Sequence, residues 1–308
     1  MYFKNKEITI EITNRCGAKC IMCPREKMIQ PLEAMDQKLY EKIVRDAFNE
    51  GVKIIDLCGY GDVFLDKGLI QKIKFTKELK PDCKVYISST GNAMVSRYIP
   101  DVIKYADILK FSIYGISKET YTKTMGGLGY EKSMRNIDEF LKMDKEKKVY
   151  TIGNFIKLEE NKHEMKEWIN IWEKRFSEVY VWKPHNYIDG RKYRDITNEK
   201  QTSCGRPLDG PLNIAVNGKA HVCCFDYNKL MVVGDANTST INEIINLKEM
   251  KAIQEKHRKN DFSGLICKDC DQTVYDDTVL IYKTNPIRKV GMSNSSLYEW
   301  RGTMPIHI

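Results

Sequence analysis

Residues 14–24 read Asn-Arg-Cys-Gly-Ala-Lys-Cys-Ile-Met-Cys-Pro, so that three residues and then two separate Cys16, Cys20 and Cys23. Thiolates are the usual protein ligands of iron–sulfur clusters, and a cubane 4Fe–4S cluster has four irons to ligate. Three ligands in one short loop leave one iron open, and an open metal position is where a reactant binds. The spacing therefore predicts a cluster with one exchangeable corner.

Short apolar runs alternate with amphipathic stretches on both sides of this loop. They predict strands at 8–13, 53–57, 84–88, 108–113, 150–156 and 179–182, and helices at 36–50, 67–79, 95–105, 130–147 and 161–176. Strand–helix alternation implies right-handed βαβ crossovers and a parallel sheet. Six units are too few for an eight-stranded barrel, so the predicted class is α/β, with an open, partial (βα)6 TIM-like barrel. Its chemistry belongs at the carboxyl ends of the strands.

The composition is that of an ordinary globular protein. The chain has 308 residues, 42% of them hydrophobic, and ten cysteines. No apolar run is long enough to cross a bilayer and residues 1–7 lack a signal-peptide pattern, which predicts a cytoplasmic protein with no membrane partner. Because the cytosol keeps thiols reduced, metal ligation accounts for most cysteines better than disulfides do. The net charge of +8 is dispersed along the chain, so the basic residues are best explained by a solvated surface, with an anionic substrate as the weaker alternative. The same dispersal makes nucleic acid an unlikely partner.

The cysteine loop resembles the signature of the radical S-adenosylmethionine (SAM) enzymes. The resemblance implies that Cys16, Cys20 and Cys23 hold a 4Fe–4S cluster, and that the open iron binds the amino and carboxylate groups of SAM. An electron donor such as flavodoxin or ferredoxin then drives cleavage of SAM to methionine and a 5′-deoxyadenosyl radical. By the same resemblance Met22 packs on the adenine of SAM, although a methionine of the core is the simpler interpretation.

Further SAM contacts are expected where successive strands end. The stretch 58–62, Cys-Gly-Tyr-Gly-Asp, resembles the family's Gly-Gly-Glu element, although a tyrosine separates the glycines and an aspartate replaces the glutamate. The stretch 88–92 resembles the segment that holds the SAM ribose, and it would serve equally well as a helix N-cap. The residues expected to bind SAM in these stretches and on the fourth strand are Gly59, Tyr60, Gly61, Asp62, Ser89 and Ser112.

The last third of the chain predicts a second metal site. Asn217-Gly218 between alternating runs at 212–216 and 220–223 predicts a β-hairpin. The hairpin brings Cys223 close to Cys204, and Cys267 and Cys270 form a Cys-x2-Cys pair downstream. Four thiolates around zinc form a closed structural site, and zinc would be favoured if this stretch stood by itself.

This stretch resembles the SPASM/Twitch domains of the same superfamily, a small α+β unit, which favours an auxiliary 4Fe–4S cluster over zinc. Full SPASM domains carry seven cysteines for two clusters. The shorter Twitch form carries one cluster and therefore fits four cysteines better. It is found in an enzyme of the superfamily that dehydrogenates an aminocyclitol. Cys224 is the alternative to Cys223 as a ligand. The predicted organisation is a barrel at 1–185, a connector at 186–203, the auxiliary domain at 204–275 and a C-terminal extension at 276–308.

The expected function is that of a radical SAM oxidoreductase acting on a sugar, an aminocyclitol or another small molecule. Modification of a peptide or protein is the alternative, and a non-catalytic zinc or iron–sulfur module is a third. No separate peptide-recognition domain precedes the first strand, which favours small molecules. The sequence identifies no catalytic base. Glu11 is a modest candidate for a polar wall, Trp182, Lys183 and His185 are weaker candidates for substrate contact, and Cys58 and Cys83 are expected to be plain buried thiols.

Overall fold

A computed structural model of the chain describes residues 2–3, 6–188, 190–193, 201–274 and 279–284. Most of the predicted C-terminal extension at 276–308, and residues 189 and 194–200 of the predicted connector, lie outside the described residues. In the described part, every helix is too short or too polar to span a lipid bilayer.

Strands and helices alternate along most of the chain. The strands are β1 (Glu7–Ile10), β2 (Lys19–Cys20), β3 (Ile54–Leu57), β4 (Lys84–Ser89), β5 (Ile108–Ser112), β6 (Met125–Gly126), β7 (Tyr150–Ile156), β8 (Glu178–Trp182), β9 (Leu212–Ile214), β10 (Lys219–His221), β11 (Val232–Asp235) and β12 (Leu280–Lys283). The α-helices are α1 (Gln37–Asn49), α2 (Leu69–Leu79), α3 (Ile99–Tyr105), α4 (Lys118–Thr124), α5 (Tyr130–Met143), α6 (Met165–Trp172), α7 (Arg206–Asp209), α8 (Ile241–Asn246), α9 (Lys248–Lys259) and α10 (Asp271–Val274).

Six strands form the parallel sheet that the sequence predicts. They pair in the order β1-β3-β4-β5-β7-β8, each parallel to its neighbour. This arrangement confirms the α/β class and the partial barrel. Helix α4 was not predicted: it is a short helix whose first turn is capped by the Ser117 hydroxyl.

The sheet continues past both edges of the predicted six strands. Beyond β1 it adds β9 in parallel and then β10 and β11 in antiparallel pairing, and beyond β8 it adds β12 antiparallel. Within the described residues the sheet thus has ten strands. The hairpin of the last third is therefore hydrogen-bonded to the strand that leads into the cysteine loop.

The Asn217-Gly218 turn forms where it was predicted, between shorter strands than expected. Gly218 has a φ of +86°, a left-handed conformation that glycine adopts without steric cost. The amide of Gly218 donates to the carbonyl of Ala215 at 2.8 Å, and the amide of Ala215 donates to the carbonyl of Lys219 at 2.9 Å. The turn brings β10 back along β9.

The two faces of the sheet differ in polarity because side chains alternate along each strand. On β1, Ile8 and Ile10 are completely buried in the main apolar core. Thr9, on the opposite face, pairs with Asp56 of β3 on one side and with Asn213 of β9 on the other. A row of buried polar side chains therefore crosses the inner face of the partial barrel.

Candidate iron–sulfur and S-adenosylmethionine site

The three-cysteine loop is held between β1 and the segment that joins α4 to α5. Cys20 lies in β2, which pairs antiparallel with β6 through Cys20 and Met125. Inside the loop, the amide of Ala18 donates to the sulfur of Cys16 at 3.4 Å, and the amide of Cys23 donates to the carbonyl of Cys20 at 3.0 Å. All three thiols are half-buried.

The three thiols interact electrostatically, as neighbouring ligands must. Burial raises the pKa of each, and for Cys20 the nearby Cys23 and Cys16 raise the pKa further. A bound metal reverses this penalty because its positive charge stabilises the thiolates. Among the described residues, no three His, Cys, Asp or Glu side chains converge as ligands of a single metal ion. A cubane does not require such convergence, since each thiolate ligates a separate iron.

Met22 and an arginine flank this loop. The side chain of Met22 is buried in the main apolar core, which was the alternative to packing on adenine. Its contact with SAM stays a prediction. Arg191, which the sequence did not single out, donates to the carbonyl of Met22 at 2.5 Å and to that of Cys23 at 3.1 Å. The guanidinium thereby ties the segment after β8 to the cluster loop.

The glycines after β3 leave room for residues that follow β1. A Cβ atom on Gly59 would lie 2.5 Å from Cγ of Glu11, and one on Gly61 would collide with the carbonyl of Thr13. Oε1 of Glu11 also accepts the amide of Tyr60 at 2.8 Å. Both glycines are thus required for the loop to pack on the residues that follow β1.

Asp62 connects the loops that follow β3 and β4. Its buried carboxylate accepts from the hydroxyl of Ser89 at 2.9 Å, the amide of Thr90 at 3.0 Å and the hydroxyl of Thr90 at 2.7 Å. The hydroxyl of Ser89 in turn accepts the amide of Gly91 at 2.9 Å. Asp62 and Ser89 are brought together as the sequence predicted, and their SAM contacts stay predictions.

Ser112 ends β5 on the inner face, opposite Asn154 of β7. Close to it lies Tyr114, a buried residue whose hydroxyl accepts a hydrogen bond from the amide nitrogen of Asn154 at 3.3 Å. Burial and the proximity of Cys20 raise the pKa of Tyr114. This phenol therefore lies near the cluster loop, and only the alternation along β5 could have indicated it.

The four cysteines of the last third also come together. Burial raises the pKa of Cys223, and the adjacent Cys224, followed by Cys270 and Cys204, raises it further. Burial likewise raises the pKa of Cys267, with Cys223 and Cys204 contributing. Cys224 differs from these four, because its side chain is exposed and its carbonyl accepts the hydroxyl of Tyr60 at 2.7 Å.

A cavity of about 190 Å³ lies between the barrel strands and the hairpin. Among the residues that line it are Glu11, Cys58, Tyr60, Tyr187, His221 and Lys229. Nζ of Lys229 is 3.7 Å from Oε2 of Glu11, and both side chains are almost fully buried. The ammonium also lies 4.9 Å from the centre of the Tyr60 ring. The wall of the cavity therefore carries a buried ion pair beside aromatic rings, among them Tyr60 and Tyr187.

His221 is one of the residues that line this cavity. Its Nδ1 is 2.9 Å from the carbonyl oxygen of Cys223, and a carbonyl can only accept, so Nδ1 carries the proton. Burial and the charge of Lys229 hold the pKa of His221 well below its ordinary value. The imidazole is therefore neutral near pH 7, with an unprotonated Nε2. The sequence did not single out His221, although the alternation along β10 places it on the inner face.

The remaining candidates have mostly structural surroundings. Trp182 packs against the apolar cluster of Ile152, Tyr180 and Leu280. The centres of the His185 and Phe225 rings are 4.1 Å apart. Cys83 is buried in the main core, as expected of a plain thiol. Cys58, predicted to be the same, lines the cavity instead, and burial raises its pKa to about 11.

Comparison with known proteins identifies the family. The model of the radical SAM superfamily matches residues 10–170. The chain belongs to the radical SAM superfamily. A second model, SPASM, described as an iron–sulfur cluster-binding domain, matches residues 204–271. Radical SAM domains bind a 4Fe–4S cluster and SAM, and SPASM domains bind auxiliary iron–sulfur clusters, which confirms the predicted cofactors.

Solved structures share the fold of this radical SAM chain at low identity. BtrN in complex with AdoMet and 2-DOIA has a TM-score of 0.60 and 15% identity, covering 91% of this chain and 99% of that one. Streptococcus suis SuiB bound to the precursor peptide SuiA has a TM-score of 0.65 and 14% identity, covering 88% and 70%. Native anSMEcpe with bound AdoMet has a TM-score of 0.63 and 14% identity, covering 89% and 92%. No curated protein sequence matches the chain.

Proposed function

We propose that this chain is a radical SAM oxidoreductase that removes two electrons from a small hydroxylated or aminated molecule bound in the cavity beside His221. The observation that carries the proposal is the place of the cavity between the two groups of cysteines. The guanidinium of Arg191 lies 5.6 Å from the centre of the Tyr187 ring in the cavity wall and donates to the carbonyl of Cys23, while Cys224, next to Cys223, lines the same cavity.

The cofactor ligands in this proposal are the two cysteine groups. Cys16, Cys20 and Cys23 hold the first cluster with SAM, while Cys204, Cys223, Cys267 and Cys270 hold the auxiliary cluster. When bound, the first cluster and SAM supply a 5′-deoxyadenosyl radical that takes one hydrogen atom from a substrate carbon.

The chain's own residues bind the substrate and take its proton. Lys229 and Glu11 offer a hydrogen-bond donor and an acceptor to a polar group that enters the cavity. After the substrate carbon has lost a hydrogen atom, the attached hydroxyl or amine gives its proton to Nε2 of His221. An auxiliary cluster held by Cys204, Cys223, Cys267 and Cys270 would supply an acceptor for the remaining electron, so that the product would carry a carbon–oxygen or carbon–nitrogen double bond. A neutral imidazole with a free lone pair suits this role.

Peptide modification is the second candidate, because two of the similar structures, SuiB and anSMEcpe, hold peptides. The cavity of about 190 Å³ favours a small molecule over a peptide segment. BtrN, crystallised with 2-DOIA, favours the same substrate class.

Anaerobic reconstitution tests the proposal. We expect about eight irons per chain, the content of two cubanes, and 5′-deoxyadenosine when SAM and a reductant are added. A panel of aminocyclitols and sugars should stimulate 5′-deoxyadenosine formation, whereas a panel of unrelated peptides should not. Zinc with little iron would contradict the proposal, and stimulation by peptides alone would favour the second candidate.

A further inference from the structure

A histidine of α9 lies against one of the auxiliary cysteines. His257 is only 1% exposed, and its Nε2 is 3.4 Å from the sulfur of Cys267. Its Nδ1 is 2.8 Å from the hydroxyl oxygen of Ser203, which directly precedes Cys204. The imidazole therefore bridges the two chain segments that carry Cys204 and Cys267.

The hydrogen-bond partners determine which nitrogen carries the proton. The amide of Gly205 donates to the hydroxyl oxygen of Ser203 at 3.2 Å, and the hydroxyl can donate its own proton to Nδ1 of His257. The ring proton then resides on Nε2, directed at the sulfur of Cys267. A thiolate bound to iron carries no proton, so it too requires the ring to donate. The iron-bound thiolate thus selects this tautomer, and the hydroxyl of Ser203 can serve as the donor that it requires at Nδ1.

The surroundings hold this ring in place. The ring of Phe262 meets that of His257 edge-on at 5.1 Å. The amide of Ser203 donates to Oδ1 of Asn260 at 2.8 Å, and Asn260 caps α9 in a left-handed conformation with φ of +54°. The end of the helix therefore fixes both Ser203 and His257 relative to Cys267.

We propose that His257 is a positioning residue that donates an N–H···S hydrogen bond to iron-ligating Cys267 and raises the reduction potential of the auxiliary cluster. The inference rests on the auxiliary ligand set of the proposed function. A cluster gains negative charge on reduction, and a hydrogen bond to a ligating sulfur stabilises that charge. The auxiliary cluster is thereby made a better acceptor for the electron that the substrate gives up.

The test isolates the auxiliary cluster in the full chain. A background variant, Cys16→Ala with Cys20→Ala and Cys23→Ala, should retain about four irons, those of a single cubane. In this background, EPR-monitored redox titration gives the midpoint potential for His257→Phe, His257→Gln and Ser203→Ala. Phenylalanine removes the donor, whereas the glutamine amide places an N–H near the position of Nε2. His163→Phe is the control, since the side chain of His163 is 65% exposed.

We expect His257→Phe to keep its irons and to shift the midpoint potential to a more negative value. Ser203→Ala should shift the potential in the same direction by less, and His257→Gln and His163→Phe should leave it unchanged. If His257→Phe does not hold a cluster, the midpoint potential of Ser203→Ala tests the proposal in its place. An unchanged potential in an iron-loaded His257→Phe or, failing that, in Ser203→Ala overturns the proposal. A background variant without iron overturns the ligand assignment itself, which is a different result.

Discussion

The phenol of Tyr60 donates a hydrogen bond to the carbonyl oxygen of Cys224 at 2.7 Å. Tyr60 follows β3 of the barrel, and Cys224 follows the hairpin strand β10, so this bond joins the two halves of the chain across the cavity. The ring of Tyr60 also meets the ring of Tyr227 edge-on, with 6.4 Å between the ring centres. The ammonium of Lys229 lies over the Tyr60 ring. A residue expected from its motif to bind SAM is therefore also a contact between the barrel and the auxiliary domain.

Tyr60→Phe should lower the free energy of unfolding by about 0.5–1 kcal/mol, the usual net value of one neutral hydrogen bond. Tyr227→Phe is the matched control, because the Tyr227 hydroxyl makes no hydrogen bond within the described part of the chain. Urea unfolding of the two iron-free variants measures the difference. Equal stability of Tyr60→Phe and the parent would show that water replaces the phenol at the Cys224 carbonyl without cost.

Lys229→Met should be strongly destabilising, because it leaves the buried carboxylate of Glu11 without its counter-charge. Removing one partner of a buried ion pair typically costs roughly 3–5 kcal/mol, and the 3.7 Å separation of this pair puts the loss at the lower end. The double variant with Glu11→Gln should regain part of the loss, since no unpaired charge remains. Urea unfolding of the parent, both single variants and the double variant completes the cycle. Strict additivity would mean that the two groups do not interact.

The strands of the barrel were predictable because local pattern determines them. The predicted strand 150–156 coincides with β7, and the other five differ from the structure by a few residues at most. The parallel pairing of β9 with β1 was not predictable. β9 has only three residues, and its partner is some two hundred positions away. A periodicity within a strand does not identify the strand beside it.

The site was predictable in its residue types more than in its contacts. The sequence found both cysteine groups, and the family models match the same regions. It attributed the glycines at 59 and 61 to ligand binding, which stays a prediction, and did not foresee that a Cβ atom at either position would meet a side chain or carbonyl after β1. His221 and His257 were missed because a single histidine has no sequence pattern. The sequence places His221 two residues before Cys223, but only the tertiary structure places it in the cavity wall and His257 against Cys267.

Asp62→Asn should lower the free energy of unfolding by about 2 kcal/mol, because an amide cannot accept all the hydrogen bonds that the carboxylate receives. Ser89→Ala removes one of those donors and should cost about 1 kcal/mol. Both changes loosen the loops expected to hold SAM, so SAM affinity in reconstituted protein should fall in both, and further for Asp62→Asn. Anaerobic equilibrium dialysis with labelled SAM measures this. Unchanged stability in Asp62→Asn would contradict the structural role of the carboxylate.

Cys223→Ser should lose the auxiliary cluster, whereas Cys224→Ser should keep it. Cys223 interacts electrostatically with Cys204 and Cys270 as well as with its neighbour Cys224, which is exposed and lines the cavity. Reconstituted Cys223→Ser should hold about four irons per chain, and Cys224→Ser about eight. Each serine variant serves as the control for its neighbour. The reverse pattern of iron content would assign the ligand to Cys224.

Asp107 should stabilise the fold in a pH-dependent way at the amino-terminal ends of β4 and β5, away from the cysteine loop. Burial alone would raise its pKa, but hydrogen bonds from Lys84, the amide of Val85 and Lys77 outweigh burial and hold the pKa below the ordinary 3.8. A carboxylate with a depressed native pKa binds fewer protons in the folded state, so its contribution is complete above pH 3.8 and is lost as pH falls through the native value.

Asp107→Asn should therefore lower the free energy of unfolding by about 1 kcal/mol at pH 7, a small value because the ion pairs are partly exposed to solvent. The difference from the parent should be the same at pH 5 and should shrink below pH 3.8, where the parent carboxylate also becomes protonated. Urea unfolding of iron-free protein across this range measures it, with the exposed Asp82→Asn as control. A difference that persists unchanged at the lowest pH would mean that shape, and not charge, explains the stabilising effect of Asp107.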